Sequence, residues 1–188
     1  MGQYDKEIAD VFNYIEKLNT RVYTPEEFSF LYKQLCSSTT PNVDIELLCQ
    51  ELNTLLDSEN IVEIKSKIHE LLEQLNSELY SPRLDIGILA AEYLAMSCKQ
   101  LALQYFSLHA NEFIVLAADK QLQKNVYYGD MWYKRGIIGV CRDMGRKIIR
   151  INNIHSMIVE NKEDALDNII DLVIFCVFYI VLAREKKK

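Results

Sequence analysis

Apolar residues recur along this chain at the three- and four-residue spacing of amphipathic helices. The first apolar stripe lies within residues 6–18 and consists of Ile8, Val11, Phe12, Ile15 and Leu18. A second helix is predicted over residues 25–36. Thr24 can cap that helix, Pro25 suits its first position, and Glu27 stands where a capping box needs an acid.

Similar patterns predict helices along the remaining chain, and no stretch alternates as a strand would. These helices are expected over residues 43–56, 61–80, 84–124, 137–154 and 165–184, the third being one long helix or two helices that break near His109. The Ser-Pro-Arg sequence at 81–83 is the predicted boundary between an N-terminal unit, residues 1–80, and a second unit, residues 84–188. The fold class is therefore predicted to be all-α, a helical bundle.

Composition and charge indicate a protein with a packed core and argue against a nucleic acid as its general partner. Half of the 188 residues are hydrophobic and only three are proline, which is typical of a chain with a packed core. The net charge of -6 makes a nucleic acid an unlikely general partner. Five cysteines without any Cys-x-x-Cys spacing indicate buried thiols, so a reducing, cytoplasmic location is expected.

The most apolar run of the chain, residues 172–183, is shorter than the roughly 20 residues that span a bilayer. It is predicted to be a core helix, and no membrane association is expected. The polar, acidic start of the chain does not resemble a secretory signal. Because bundles with such an apolar last helix often bury it against a second copy, a homodimer is expected.

Three acids share one face of that last helix. Asp164, Asp167 and Asp171 stand at i, i+3 and i+7, and the same face becomes apolar at Phe175 and Phe178. The helix macrodipole explains acids at the first turn but not Asp171. A buried carboxylate needs a cation or a basic side chain, so Asp171 is predicted to have one.

Two kinds of cation could meet this carboxylate. The helix over residues 137–154 carries basic side chains opposite its apolar face, namely Arg142, Arg146, Lys147 and Arg150. These cations could pair with the aspartates or hold the phosphates of a nucleotide. Alternatively, acids from two helices could bind Mg²⁺, with Glu92, Glu112 and Asp119 as candidates on another helix.

Residues 124–136, Lys-Asn-Val-Tyr-Tyr-Gly-Asp-Met-Trp-Tyr-Lys-Arg-Gly, are predicted to connect two helices. Their aromatic side chains, Tyr127, Tyr128, Trp132 and Tyr133, could form a flat platform for a base. Equally, they could plug the end of the bundle. Asp130 is predicted to cap a helix or to bind a ligand.

The region of about residues 111–182 resembles the helical nucleotide-modification-associated domain of phages and bacteria. The resemblance lies in a Lys-Asn pair, a Tyr-Gly-Asp with Trp two residues on, an Arg-Gly pair, a Lys-x-x-Arg helix and a closing acidic helix. The matching positions are Lys124, Asn125, Tyr128, Gly129, Asp130, Trp132, Arg135, Gly136, Lys147, Arg150, Asp167 and Asp171. The family is similar to all-α nucleoside triphosphate pyrophosphatases of the MazG and dimeric dUTPase type.

The resemblance implies a MazG-like nucleotide-pocket half with an N-terminal helical extension. It also implies Mg²⁺-dependent binding of a (deoxy)nucleoside triphosphate, which the protein would hydrolyse or sequester. The implied metal ligands are Glu112, Asp167 and Asp171, and the implied catalytic residues are Asp167, Asp171 and Lys147. The implied substrate-binding residues are Lys124, Asn125, Tyr128, Asp130, Trp132, Arg135 and Arg150. The chain departs from the pattern at Arg146, where an acid often precedes the lysine, so catalysis is less supported than nucleotide recognition.

Two other functions fit the same residues. The first is a non-catalytic helical module that docks a protein partner through its aromatic segment. The second is an accessory protein of DNA modification that places the arginines of residues 142–150 on phosphates.

Overall fold

The computed structural model describes residues 4–39 and 83–187. Within these two ranges the chain forms helices and no strand, which confirms the all-α prediction. The helices are α1 (Asp5–Lys17), α2 (Pro25–Ser38), α3 (Arg83–Phe106), α4 (Ala110–Tyr128), α5 (Met131–Ile151), α6 (Ile154–Glu160) and α7 (Lys162–Lys186). The helices predicted over residues 43–56 and 61–80 lie outside the described residues.

Local sequence signals account for several helix ends. Thr24 Oγ1 accepts a hydrogen bond from the Glu27 backbone N at 3.1 Å, so the predicted cap of α2 is confirmed. The Glu27 carboxylate itself accepts from Arg21 Nε at 2.9 Å. At α7, Asn161 Oδ1 accepts from the backbone N of the second and third residues of the helix, at 3.1 and 3.2 Å.

The region predicted as one helix or two over residues 84–124 is two helices. They break at residues 107–109, where Ser107 has a φ of 57° in the left-handed region. Helix α4 then begins, and Glu112 Oε2 accepts a hydrogen bond from the His109 backbone N at 2.9 Å. This contact satisfies a donor at the helix start.

The predicted connection over residues 124–136 was wrong in its secondary structure. Helix α4 continues to Tyr128 and α5 begins at Met131, so only Gly129 and Asp130 separate them. Gly129 has a φ of 51°, and a second break follows inside α5 at Gly136, with a φ of 64°. The aromatic and basic residues between these glycines are helical, and glycine alone supplies the turns.

Helix α7 occupies the centre of the fold. It contacts α1, α3, α4, α5 and α6 and is buried almost continuously from Ile169 to Ala183, as predicted for a core helix. By length and composition alone, α3 and α7 could each cross a membrane. That is weak evidence, because the core helix of a soluble protein passes the same test, and 83% of the apolar window of α7 is buried inside the fold.

The burial of α7 bears on the expected dimer. The apolar face that was expected to meet a second copy is covered by helices of the same chain. The homodimer stays a prediction, and residues 169–183 of α7 are already packed within the chain.

One hydrophobic core joins both described ranges. It contains Phe12 of α1 and Phe28 of α2 together with Leu94 of α3 and Ile169 of α7. The division at residues 81–83 stays a prediction, although residues 4–39 pack directly on the second unit.

A close approach fixes the packing of α3 on α7. A Cβ at Gly87 would overlap the Tyr179 hydroxyl, so a larger residue at this position would force the Tyr179 and Ser38 side chains to move. The Tyr179 hydroxyl also hydrogen-bonds Ser38 Oγ, which donates to the Leu35 carbonyl at 2.6 Å. These contacts join α2, α3 and α7 at one point.

A buried lysine of α3 caps the C-terminal end of α1. Lys99 on α3 donates from Nζ to the carbonyls of Ile15 at 2.8 Å and Glu16 at 3.2 Å, and also to that of Leu18. The carbonyls at a helix end otherwise lack partners inside the helix. Burial lowers the pKa of Lys99, and the nearby Glu16 opposes that shift.

Three of the four cysteines in the described ranges are buried, as the sequence predicts, whereas Cys36 is half-buried. Cys98, Cys141 and Cys176 are buried thiols, and Cys49 lies outside the described residues. Burial raises the pKa of Cys141 to about 12 and raises that of Cys98 and Cys176 as well. Such thiols are poor nucleophiles.

Candidate functional site

Three lysines converge on the buried carboxylate of Asp171. Lys124 Nζ lies 2.5 Å from Oδ1, Lys147 Nζ lies 2.9 Å from Oδ2, and Lys120 Nζ lies 3.9 Å from Oδ1. The Asp171 side chain is only 12% exposed. The prediction that this acid is buried against counter-charges, Lys147 among them, is confirmed, whereas the two lysines of α4 were not foreseen as its partners.

The lysines keep Asp171 ionised. Burial alone would raise the pKa of this carboxyl, but the hydrogen bonds and charges of Lys124 and Lys147 outweigh burial and lower it. A carboxylate with a lowered pKa is a weak proton acceptor, because it holds a proton poorly.

The other acids of the stripe face solvent. Asp167 pairs with Lys120 Nζ at 2.5 Å and its side chain is 59% exposed, while Asp164 is exposed at the start of α7. The stripe therefore leads from solvent to a buried carboxylate along two turns of α7.

The Asn168 side chain on α7 contacts two cations of α5, Lys147 and Arg150. Its Oδ1 accepts from Lys147 Nζ at 3.2 Å and from Arg150 Nη1 at 3.4 Å, and its Nδ2 donates to the Asp164 carbonyl at 2.7 Å. Because an amide carries no charge, it orients both cations without neutralising them. Sequence reasoning missed Asn168, which is buried on the same helix as the acids.

A second ion pair holds Arg135. Asp143 is buried, and its carboxylate lies 2.6 Å from Arg135 Nη1 and 3.5 Å from Arg146 Nη1. The backbone of α5 departs from helical geometry at Gly136, which has a positive φ of 64°. A Cβ at Gly139 would crowd Arg135 Cβ at 2.6 Å, so the position of Arg135 needs glycine there. In the sequence, Asp143 lies among the basic residues of α5, and this pattern did not predict that Asp143 would be buried.

Cations outnumber acids in this region. The acids are Asp143, Asp167 and Asp171, and the cations are Lys120, Lys124, Arg135, Arg146, Lys147 and Arg150. Six cations against three carboxylates leave an excess of three positive charges, in a chain whose net charge is -6. We call these nine residues the charged cluster.

A cavity of about 430 Å³ opens beside the charged cluster, where the end of α4 and the start of α5 meet α7. Apolar side chains cover most of its wall, with Lys124, Arg135 and Asp171 among its polar residues. The full lining is Gln121, Lys124, Asn125, Tyr128, Gly129, Met131, Trp132, Arg135, Asp171, Ile174, Phe175 and Phe178. Five of the seven predicted substrate-binding residues line it, namely Lys124, Asn125, Tyr128, Trp132 and Arg135, whereas Asp130 and Arg150 do not.

Trp132 lines the cavity, and its role beside a base stays a prediction. It is only 4% exposed and stacks on Phe178, with ring centroids 4.2 Å apart and planes 8° apart. The edge of Tyr4 approaches it at 5.6 Å, and Tyr4 itself stacks on Tyr133 at 4.4 Å. Trp132 and Tyr133 therefore close the bundle end, whereas Tyr128 remains exposed at the mouth of the cavity.

The remaining predicted residues divide between structure and surface. Asn125 Nδ2 donates to Asp5 Oδ1 at 3.4 Å, which links the end of α4 to the start of α1. The backbone carbonyl of Asp130 accepts from the backbone N of Tyr133 at 3.0 Å, but its side chain makes no capping bond. Arg135 lines the cavity, and Arg150 lies in the neighbouring seam with α7.

The acids implied as magnesium ligands do not come together. Glu112 caps the start of α4, Asp167 pairs with Lys120, and both oxygens of Asp171 face lysines. Across residues 4–39 and 83–187 no group of three or more acidic, histidine or cysteine side chains could hold a metal. These side chains do not fit a carboxylate site for Mg²⁺, which needs free oxygen ligands.

Comparisons of the chain with protein-family models, with curated proteins and with solved structures find no match. The resemblance to nucleotide-modification-associated and MazG-type domains therefore stays a prediction. The cavity and the charged cluster are the features on which a functional proposal can be built.

Proposed function

We propose that the cavity between α4, α5 and α7 binds a nucleotide and sequesters it. The observation that supports this proposal is the meeting of an apolar cavity with a cluster that carries excess positive charge. Ligand sites are typically apolar clefts in which a few fixed polar groups orient the ligand. A nucleotide has the matching halves, a flat base and a phosphate.

The apolar wall suits the base. Ile174 and Phe175 from successive positions of α7 line the cavity together with Met131 of α5. Phe178 and Trp132 are stacked on each other, so they offer a rigid wall instead of two open faces. Tyr128, which is 68% exposed at the mouth, is the aromatic ring free to cover a bound base.

Lys124 and Arg135 suit the phosphate. Their side chains are 43% and 46% exposed, so a ligand can reach them from solvent. The charged end group of each contacts one buried acid, Asp171 for the lysine and Asp143 for the arginine. Cations held in position lose less conformational entropy when they bind a phosphate.

The proposal is limited to binding. Hydrolysis of a nucleoside triphosphate also requires a group that activates water, and Asp171 is a weak base because the lysines lower its pKa. Pyrophosphohydrolase activity and Mg²⁺ dependence remain predictions from the resemblance.

A thermal-shift panel of ribo- and deoxynucleotides tests the proposal. A ligand that binds the native state raises its melting temperature, by an amount that grows with concentration over Kd. At least one nucleotide should raise the Tm of the wild type, and Lys124→Met combined with Arg135→Met should abolish the shift. Lys134→Met is the matched control, because Lys134 is exposed and does not line the cavity.

An unchanged Tm for every nucleotide, with and without Mg²⁺, would rule the proposal out. A shift that survives the double substitution would place the nucleotide elsewhere on the protein.

Exposed apolar residues at the end of α4 favour a second candidate, the docking of a protein partner. Val126, Tyr127 and Tyr128 are 81%, 84% and 68% exposed, although such side chains are usually buried in a monomer. The anchor of this alternative would be Tyr127 and not Trp132, which is buried. Tyr127→Ser should abolish capture of a partner in a pull-down and leave nucleotide shifts intact, and the reverse result would exclude this candidate.

A further inference from the structure

Resting on the proposed nucleotide site, we propose that the charged cluster takes the place of a divalent cation and that the ligand is a nucleoside monophosphate bound without metal. The inference comes from three features: the contacts of the acids, the sign of the local charge and the number of cations on the cavity wall.

The two buried acids of the cluster, Asp171 and Asp143, have cations at both of their oxygens. Asp171 Oδ1 faces Lys124 at 2.5 Å and Lys120 at 3.9 Å, while Oδ2 faces Lys147 at 2.9 Å. Asp143 is engaged in the same way, with one oxygen 2.6 Å from Arg135 and the other 3.5 Å from Arg146. A hard cation would have to displace these side chains before it could coordinate either carboxylate.

The local charge also disfavours a metal ion. With six cations and three acids, the charged cluster repels a divalent cation before any ligand arrives. The same excess attracts phosphate. Mg²⁺ commonly bridges carboxylates to substrate phosphates, and here lysine and arginine can contact the phosphate directly.

The cavity wall carries charge for one phosphate group. Its cations are Lys124 and Arg135 and its acid is Asp171, whose charge Lys120 and Lys147 also offset; a phosphate monoester carries a charge of about -1.5 to -2 near pH 7. The volume of about 430 Å³ lies at the small end of ligand sites, which span roughly 300–1,000 Å³. A triphosphate brings more charge than these two side chains can balance and usually carries its own Mg²⁺.

Isothermal titration of the full chain tests the inference. Nucleoside monophosphates and the matching triphosphates would each be titrated in EDTA and in Mg²⁺. A monophosphate should bind in EDTA with a Kd that Mg²⁺ changes by less than about twofold, and more tightly than its Mg²⁺-triphosphate.

Two variants check the residues. Lys124→Met should weaken monophosphate binding by about tenfold, the usual effect of losing one charge-assisted hydrogen bond, whereas Lys134→Met should not change it. Circular dichroism of both variants establishes that the fold is retained. Binding should also weaken as pH falls below about 6, because the phosphate then takes up its second proton.

Each alternative result has a distinct meaning. Binding that disappears in EDTA and returns with Mg²⁺ would overturn the metal-free site but keep the proposed nucleotide function. Tighter binding of the triphosphate than of the monophosphate in EDTA would overturn the ligand class. Absence of binding by any nucleotide under both conditions would overturn the proposed function itself.

Discussion

Asp171 is the residue on which the stability of the charged cluster depends. It compensates Lys124 and Lys147 within 2.9 Å, and its removal would leave those ammonium groups partly buried beside an uncharged side chain. Breaking a buried ion pair by removing one partner is more harmful than replacing the whole pair.

Asp171→Asn is therefore expected to lower the free energy of unfolding by about 2–3 kcal/mol, somewhat less than for a fully buried pair because Lys124 is part-exposed. Urea denaturation at neutral pH measures this change. Asp119→Asn, at an exposed position of α4, is the control and should change stability by less than about 0.5 kcal/mol. A loss of similar size in both variants would mean that Asp171 has no special role.

The Asp171 carboxylate should also make the free energy of unfolding depend on pH. The pKa of Asp171 is lower in the folded protein than the usual value of about 3.9 for an unfolded chain, so the unfolded state binds the proton first. The stabilisation that ionised Asp171 gives the folded state is complete above the unfolded pKa of about 3.9, and it is lost as the pH falls through the lower pKa of the folded state. The groups that face Asp171 are Lys120 and Lys124 from α4 and Lys147 from α5.

The difference in unfolding free energy between wild type and Asp171→Asn should thus be constant from pH 5 to 7 and shrink below about pH 4. Urea titrations at a series of pH values give this profile. A difference that grows on acidification would show that the folded pKa is raised, contrary to the effect of the lysines.

Asp143 is expected to act on the ligand through Arg135. Asp143→Asn should weaken nucleotide binding by about three- to tenfold, because the guanidinium would lose the charge that positions it. Arg142→Gln, exposed on the same helix, is the control and should bind normally. The effect of Asp143→Asn should vanish in an Arg135→Met background, and an undiminished effect there would argue against positioning.

At the scale of the helix, Lys99 joins α1 to α3 through three backbone carbonyls. Lys99→Met should lower the unfolding free energy by about 1–3 kcal/mol, because the carbonyls would lose buried partners. Hydrogen exchange should show the loss concentrated in α1. Lys33→Met, at an exposed position of α2, is the matched control, and uniform loss of protection across all helices would contradict a local role.

Signals within one helix were predictable, and contacts between helices were not. Thr24 and Pro25 identified the start of α2, and the i, i+7 spacing from Asp164 to Asp171 identified a face that becomes buried. The partners of that face come from α4 and α5, and no local pattern specifies which lysine will reach an aspartate 47 residues away.

Two errors have physical causes of the same kind. Residues 124–136 contain two glycines and many aromatics, which suggested a loop, but the side chains between the glycines pack as helical turns, with Trp132 on Phe178. Glu112 was expected at a metal site, yet an acid in the first turn of a helix has a nearer use in capping it. Glu112 therefore makes a local hydrogen bond at the start of its helix and not the predicted long-range contact at a metal site.

At the scale of the whole molecule, site and core share one central helix. The face of α7 that bears Asp171 continues into Ile174, Phe175 and Phe178, which form the cavity wall, and α7 also packs on α3 and α5. The start of α1 closes the far side, where Tyr4 meets Trp132 and Tyr133. The N-terminal residues therefore pack against Trp132, which is part of the cavity wall.

The stacked pair of Trp132 and Phe178 has a practical consequence. Trp132 is the single tryptophan of the chain, and it lies in the cavity wall under the edge of Tyr4. Its ultraviolet fluorescence thus originates from that wall alone. Emission wavelength and quenching can report, without any added label, both the arrival of a molecule in the cavity and the detachment of α1.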